Sequence, residues 1–255
     1  DFWLAWFATT AFALQIYFDF SGYSEMAIGL ARIFGVRLPR NFIYPYISRN
    51  FSEFWQRWHI TLSQWLRDYL YFPMGGSRVS SLRTYQNLLV TMLLGGLWHG
   101  AGWNFMFWGF LHGMYLVGHR WLLIFYNWIG VRSEAKTGLI LSWLGLPVTF
   151  VLVNFTWVFF RAPDFDSAWL IVMAMIGQAD VAGDIANIRL YEKLYIALGL
   201  AVVYLEPWLV GLFQRVGVDW WWRVPFPIRG GVYAALVLTL VVMGGGTQKF
   251  IYFDF

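Results

Sequence analysis

The sequence predicts an all-α polytopic membrane protein in which residues 1–255 form one transmembrane domain. Of its 255 residues, 59% are hydrophobic, 22% aromatic and only 13% charged, whereas a soluble domain carries about 25% charged residues. The segment 84–119 contains no Asp, Glu, Lys or Arg, and it exceeds the roughly 20 apolar residues that a spanning helix needs. Eight arginines cluster within 32–83, as is typical of a cytoplasmic loop.

The N-terminal part predicts two helices separated by a polar break. Residues 2–18 carry no charge and are just long enough to span a bilayer. The sequence DFSGYSE at 19–25 then brings two carboxylates, two serines and a glycine, which predicts an interruption. A short helix is expected to resume over 26–34 and to end at Gly35, with Pro39 beyond it.

The segment 32–83 is strongly basic, which predicts that it faces the cytoplasm. Only Glu53 and Asp68 oppose its arginines, and a turn is expected at 73–77 (PMGGS). The arginines are Arg32, Arg37, Arg40, Arg49, Arg57, Arg67, Arg78 and Arg83. Because they alternate with membrane-type aromatic residues, the net charge of +4 favours membrane topology over nucleic-acid binding.

Within this basic segment, the sequence predicts one amphipathic helix over 54–72. Asn50 and Glu53 have the spacing of a capping box, and Glu53 with Arg57 forms an i,i+4 pair. The apolar face comprises Trp55, Trp58, Leu62, Trp65, Leu66 and Tyr69. The pattern favours an interfacial or re-entrant helix rather than a span.

Further spans are predicted in the rest of the chain. The central run is expected to continue as helix to about Tyr126, and spans follow at 137–160, at 194–213 with a kink at Pro207, and at 230–248. The charges between Arg161 and Arg189 are all acidic, which places the ends of that region outside the cytoplasm.

His99 is the first candidate for a functional residue, because an ionisable group at membrane depth is costly. Gly96 and Gly100 have a spacing that lets a helix or a ligand approach the backbone closely, and Trp98 and Trp103 could wall a cavity. Burial favours the neutral imidazole, which can take a proton from a hydroxyl as a general base. The alternative is a structural histidine hydrogen-bonded across helices.

The other histidines are weaker candidates. In a continuous helix, His112 would point away from His99, so the two share a site only if residues 100–102 break the helix. His112 and His119 share a face, and a structural polar contact is the preferred interpretation for both. His59 lies beside Trp58, and sequence does not decide between a functional residue and a member of an interfacial aromatic belt.

The charged residues also have two interpretations. Arg57, Arg67 and Arg78 could hold an anionic donor such as the phosphates of coenzyme A, or they could serve only to set the topology. Asp19 and Glu25 could bind a cation, cap a helix or pair with a nearby arginine, and pairing is the preferred interpretation.

Several chemistries are excluded. The chain has no cysteine, so it can form neither a cysteine acyl-enzyme nor a cysteine zinc site. It contains no HExxH, P-loop or GxSxG motif, and its histidines are scattered, so neither a metal nor a bound cofactor is expected. The chain begins with Asp1 and runs directly into an apolar segment, and we expect N-terminal helices of a longer protein to be missing.

Three motifs together resemble the membrane-bound O-acyltransferase family. They are FDFSGYSEMAIGLARIFGVRLPRNF, FWQRWHITLSQWLRDYLYFPMGGSR and GGLWHGAGWNFMFWGFLHG, and the likeness extends to the final FIYFDF, although Asp254 stands where the family commonly has Gln. The similarity is greatest to the bacterial branch that contains the membrane subunit of alginate O-acetylation. The D-alanyl transfer protein of teichoic acid modification shares a similar pattern.

This resemblance implies a multi-helix bundle around a central funnel, with further helices before residue 1. It implies that His99, in the WHG motif, is the essential catalytic residue and that His59, in the RWH motif, lies at or near the same site. It further implies an extracytoplasmic partner, often an SGNH-type acetyltransferase, and polysaccharide export machinery. No catalytic role is assigned to His112, which matches a family LHG pattern.

The expected function is therefore membrane O-acyl transfer in a bacterial inner membrane. An acetyl group would pass from a cytoplasmic donor, acetyl-CoA, towards hydroxyls of an exported polysaccharide such as alginate. His99 and His59 would be catalytic, and Trp98, Trp103, Arg57 and Arg67 would bind substrate. The alternatives are D-alanyl or other acyl transfer to another envelope polymer, a transporter or flippase, and a non-catalytic scaffold. No second copy of the central stretch is visible, which argues against the inverted repeats of many transporters.

Overall fold

The computed structural model describes residues 1–130, 136–180, 183–216 and 219–243, and within them every regular element is helical. A π-helical turn covers Arg67–Tyr71, and short 3-10 turns cover Pro45–Ile47 and Ile185–Asn187. The α-helices are α1 (Phe2–Ile33), α2 (Phe51–Arg57), α3 (Ile60–Leu66), α4 (Ser81–His99), α5 (Trp103–Trp128), α6 (Lys136–Arg161), α7 (Phe165–Met175), α8 (Leu190–Val216), α9 (Asp219–Arg223) and α10 (Phe226–Met243).

The first helix is continuous, so the predicted interruption at 19–25 is wrong. Helix α1 runs through Asp19, Gly22 and Glu25 and ends at Ile33, just before Gly35 takes a positive φ of 76°. A single glycine costs a helix only about 1 kcal/mol, and the side of α1 that carries Gly22 and Glu25 is exposed, so neither residue breaks it. The predicted end of the helix is confirmed.

The predicted helix over 54–72 is broken in two at His59. The Asn50 side chain caps α2 by accepting a hydrogen bond from the Glu53 N–H, and Arg57 pairs with Glu53 at 2.7 Å, so the cap and the ion pair are confirmed. His59 then adopts the left-handed conformation (φ 42°) and starts α3. The break and the following π turn change the helical register. Of the residues of the predicted apolar face, Trp55, Trp58, Leu62 and Leu66 are buried, whereas Trp65 and Tyr69 are exposed.

The central stretch forms a helical hairpin rather than one long helix. Helix α4 ends at His99, residues 100–102 turn the chain, and α5 begins at Trp103. The two helices pack with their backbones in close approach: a Cβ on Gly96 would collide with the Phe105 carbonyl, and one on Gly109 would collide with the Met92 carbonyl. The small residues thus allow the hairpin to close, and this brings the start of α5 beside His99.

Helix α6 lies at the centre of the described fold and packs against α1, α5 and α7. Its residues Thr156, Trp157 and Phe160 are almost fully buried. The Trp157 indole N–H donates to the Tyr46 hydroxyl, which in turn donates to the Ala13 carbonyl of α1 at 2.6 Å. These hydrogen bonds tie α1, the 3-10 turn and α6 together beside the aromatic residues of α2.

Two helical segments of the described chain, Ser142–Arg161 and Leu190–Phe213, are long and apolar enough to cross a membrane. Helix α8 runs on through Pro207. The chain divides into two compact units, Asp1–Val203 and Tyr204–Phe255. The remaining predicted spans and the single transmembrane domain over 1–255 stay predictions, and the FIYFDF ending lies outside the described residues.

Candidate active site

His99 is the last residue of α4, and its imidazole lies inside a box of aromatic rings. The ring centroids of Trp98, Trp108 and Phe160 lie 5.0, 5.2 and 5.0 Å from that of His99, each at a steep angle. These rings come from α4, α5 and α6, so the box exists only because the hairpin folds back and packs against α6. The surroundings are apolar and aromatic, and they suit a base that works in a low dielectric.

His59 contacts Trp98, one of the rings of this box. Its ring centroid lies 6.3 Å from that of Trp98 and 4.8 Å from that of Phe20, which it meets edge-on at 90°. The left-handed backbone at His59 aims this side chain out of the break between α2 and α3. A left-handed conformation is uncommon for residues other than glycine, and strained positions of this kind cluster at functional sites.

Because the helix breaks at 100–102, His99 and His112 both contact the ring of Trp108. His112 is fully buried, and its ring centroid lies 4.6 Å from that of Trp108. The Thr156 hydroxyl donates to the Val153 carbonyl at 2.7 Å and also lies 3.0 Å from His112 Nε2. When the single hydroxyl hydrogen points to the carbonyl, the imidazole donates to the hydroxyl from Nε2. His112 Nδ1 is then the unprotonated acceptor.

Several buried polar atoms around these rings have no hydrogen-bond partner within the described residues. They include His59 Nδ1, His112 Nδ1 and the indole nitrogens of Trp55 and Trp108. Buried polar groups are normally satisfied by protein or water. The ring centroids of Trp55 and Trp108 lie 5.2 and 4.6 Å from that of His112, so three of these polar atoms belong to rings in mutual contact.

Trp103, the second tryptophan expected to wall the histidine site, lines a different space. It borders an apolar groove of about 420 Å³ together with Leu93, Met106, Phe107, Phe110 and Phe165. Trp103 is 75% exposed, whereas Trp98 contacts both candidate histidines.

The two arginines expected to bind substrate are both neutralised by carboxylates. Arg57 pairs with Glu53 at 2.7 Å, and its guanidinium donates to the Ile43 carbonyl. Arg67 donates to Asp68 through Nε at 2.8 Å and through an Nη at 3.2 Å. Hydrogen bonding from this guanidinium lowers the pKa of the Asp68 carboxyl, so the pair stays ionised at neutral pH.

Trp108 and Thr156 were not identified from sequence, although they organise the site. Trp108 contacts both His99 and His112, and it lies four residues before His112, on the same face of α5. That spacing is a signal that sequence reasoning could have used. Thr156 lies on a separate helix far along the chain, and no local pattern links it to His112. Within the described residues, no group of three His, Asp or Glu side chains could hold a metal ion.

The chain belongs to the membrane-bound O-acyltransferase family, whose sequence model matches residues 1–171. The family predicted from the three motifs is therefore confirmed, and with it the membrane character of the protein. The matched region contains both candidate histidines, the α4–α5 hairpin and the aromatic box.

Three relatives illustrate the range of names in the family. The chain is 46% identical over 173 residues to the peptidoglycan O-acetyltransferase of Helicobacter pylori, covering 68% of this chain and 32% of that protein. It is 50% identical over 171 residues to the probable alginate O-acetylase AlgI of Pseudomonas aeruginosa, covering 67% and 31%. It is 35% identical over 119 residues to the teichoic acid D-alanyltransferase of Streptococcus thermophilus, covering 44% and 29%. The chain spans about a third of the length of these relatives.

Proposed function

We propose that this chain is the catalytic part of a membrane O-acetyltransferase that acts on an exported polysaccharide such as alginate. The acetyl group comes from a cytoplasmic donor, acetyl-CoA, and the acceptor is a sugar hydroxyl. The similarity to O-acetylating relatives supports the reaction class. The observation that carries the proposal is the aromatic box around His99, in which Trp98 contacts both His99 and His59.

In this proposal, His99 is the general base. It takes the proton of the acceptor hydroxyl as that oxygen attacks the thioester carbonyl, the new C–O bond forms and the C–S bond breaks. The proton then passes to the leaving thiolate, which restores the neutral imidazole. His59 positions the acceptor or assists this proton transfer, and Trp98, which lies beside both imidazoles, contacts the substrates. Because the chain has no cysteine, direct transfer is the simplest route.

The experiment measures polymer-bound acetate in cells that carry the full-length protein, with membrane levels checked by immunoblot. His99→Ala should reduce acetylation by about 10²–10⁴-fold, the usual contribution of a general base. His59→Ala should reduce it less. His119→Gln is the matched control, because His119 lies outside the box and contacts Ser52. Undiminished acetylation in His99→Ala at normal protein level would reject the proposal and favour a scaffold or transporter role.

The proposal also includes the protein's setting. The chain would be a multi-pass protein of a bacterial inner membrane, with the basic segment 32–83 facing the cytoplasm. An SGNH-type partner outside the cytoplasm and the export machinery would complete delivery to the polymer. Cysteine accessibility labelling tests this orientation: Arg37→Cys should react with a membrane-impermeant reagent only after the cells are opened.

A second candidate is acyl transfer to another envelope polymer. The D-alanyltransferase of Streptococcus thermophilus and the peptidoglycan O-acetyltransferase of Helicobacter pylori favour this alternative. Mass analysis of the purified polymers in wild type and His99→Ala separates these cases. Loss of acetyl from alginate, loss of acetyl from peptidoglycan and loss of D-alanine from teichoic acid each identify a different acceptor.

A further inference from the structure

The turn between α3 and α4 is built from two glycines in left-handed conformations. Gly75 has φ 101° and Gly76 has φ 56°, and a Cβ on Gly75 would lie 2.6 Å from Val79 Cγ1. The buried Asn87 side chain on α4 holds this turn by donating to the Met74 and Gly76 carbonyls at 3.0 and 3.2 Å. The turn is therefore a fixed structure, and its shape depends on glycine.

A polar cavity of about 240 Å³ lies against this turn. It is lined by Phe72, Gly75, Gly76, Ser77 and Arg78. One Arg120 Nη donates to Ser77 Oγ at 2.7 Å and to the Tyr71 hydroxyl at 3.3 Å, while Tyr71 and Ser77 contact each other at 2.8 Å. Arg120 lies in the second half of α5, so the hairpin brings a second guanidinium next to Ser77, one of the residues that line the cavity.

The two arginines near this cavity, Arg78 and Arg120, differ from Arg57 and Arg67 in their charged partners. Arg57 and Arg67 each pair with a carboxylate. Within the described residues, neither Arg78 nor Arg120 has a carboxylate within ion-pair distance, and the only hydrogen bonds of the Arg120 guanidinium go to hydroxyls. Two guanidinium groups without counter-charges beside one small cavity form an electropositive site.

We infer that this cavity binds a phosphate group, with Arg78 and Arg120 as its ligands. Guanidinium groups present a planar fork of donors that matches phosphate oxygens. Helix α4 is about 27 Å long from Ser81 to His99 at the rise of an α-helix, so this site stands one helix length from the candidate base. The phosphate therefore belongs either to the part of coenzyme A far from its thioester or to an anionic lipid headgroup. Only the first of these sources rests on the proposed function.

The experiment uses the full-length protein in nanodiscs and two probes. Adenosine 3′,5′-bisphosphate, titrated calorimetrically in phosphatidylcholine nanodiscs, tests the coenzyme A source. Nanodiscs that also contain phosphatidylglycerol test the lipid source, read as a rise in thermal stability and as retained lipid in native mass spectrometry. Arg78→Gln and Arg120→Gln should each weaken the effective probe by about tenfold or more, because a hydrogen bond to a charged group contributes about 1.5–3 kcal/mol.

Arg37→Gln is the control, since it removes the same charge from an exposed loop position. Arg78 is exposed and its side chain makes no hydrogen bond or ion pair within the described residues, so Arg78→Gln keeps the test valid even if Arg120→Gln destabilises the turn. Binding of neither probe, or equal binding by Arg78→Gln and Arg37→Gln, would overturn the inference. Probe binding that depends on Arg78 in a protein whose His99→Ala variant still acetylates would preserve this site and reject the proposed function.

Discussion

The two ends of the α4–α5 hairpin differ in chemistry. At one end, the chain turns through residues 100–102, and His99 lies among Trp98, Trp108 and Phe160. At the other end, Arg120 meets the glycine turn beside a polar cavity with Arg78. The first end has aromatic walls and imidazoles, and the second has guanidinium groups without carboxylate partners among the residues that the structure describes.

This difference suggests that the two ends of the α4–α5 hairpin have different roles: proton transfer at the histidine end and phosphate recognition at the arginine end. Proton transfer is most effective where water is excluded and the base is held in place. Recognition of a phosphate needs cations that solvent or a membrane surface can reach. The close helix contacts at Gly96 and Gly109 fix both ends. Variants at these contacts should therefore damage both ends, whereas variants within one end should damage that end alone.

The largest effect is expected from Gly109→Val, which should damage both ends. A Cβ at this position would collide with the backbone of Met92 and lie 3.2 Å from Leu93 Cα, and backbone atoms cannot move aside as a flexible side chain does. Overpacking typically costs about 1–3 kcal/mol, and occasionally more. We expect a lower melting temperature in detergent, loss of acetylation and loss of probe binding. Gly118→Val is the control, because no described atom beyond its chain neighbours and the adjacent backbone of its own helix lies within 4 Å of its Cβ position. Equal damage in both variants would contradict the close-packing explanation.

Trp108→Leu should damage the histidine end alone. This ring separates His99 from His112 and is only 1% exposed, so its loss leaves a cavity and frees the His99 imidazole to move. A displacement of about 1 Å in a catalytic group can cost 10²-fold in rate. We expect a fall in acetylation with unchanged binding of adenosine 3′,5′-bisphosphate. Trp128→Leu, at an 81% exposed position, should leave both readouts unchanged, and a parallel loss of probe binding in Trp108→Leu would argue against separate ends.

Thr156→Val should have a smaller effect, seen mainly in stability. The substitution leaves His112 Nε2–H buried without its acceptor, which costs about 1–3 kcal/mol. We expect a lower melting temperature and a modest loss of acetylation. Thr91→Val is a close control, since the Thr91 hydroxyl is buried and, among the described residues, bonds only to the Asn87 carbonyl of its own helix. Equal destabilisation in the two variants would show that the bond to His112 contributes little.

Local patterns in the sequence predicted the local structure well. The helical class, the Asn50 cap, the Glu53–Arg57 pair and the end of α1 before Gly35 all depend on residues close in the chain. The errors arose where packing decides. The polar stretch 19–25 looks like a break, but nothing in it prevents a helix, and the helix over 54–72 breaks at His59, where the chain carries neither Gly nor Pro.

The candidate histidines and the closeness of His59 to His99 were expected from the motifs, but the arrangement of side chains around them was not. His99 and His59 were named from burial cost and motif, yet their meeting at Trp98 requires the break at His59 and the hairpin together. Trp103 is a neighbour of His99 in sequence, but it faces the apolar groove with Leu93 and Phe165. Arg120 lies far along the chain from Arg78, so only the antiparallel return of α5 brings it to the glycine turn.

The smallest effect is expected from Arg67→Gln, which also sharpens the contrast between paired and unpaired arginines. Because Asp68 already neutralises this exposed guanidinium, its removal should change acetylation and phosphate-probe binding very little. Asp68→Asn should instead raise the affinity for the phosphate probe, since it leaves Arg67 without its counter-charge and adds a free cation to the basic segment. Calorimetric titration with adenosine 3′,5′-bisphosphate at low and high salt measures both variants. A tenfold loss of affinity in Arg67→Gln would mean that the phosphate reaches Arg67 despite its carboxylate, and the site would then extend along the π turn rather than end at Arg78 and Arg120.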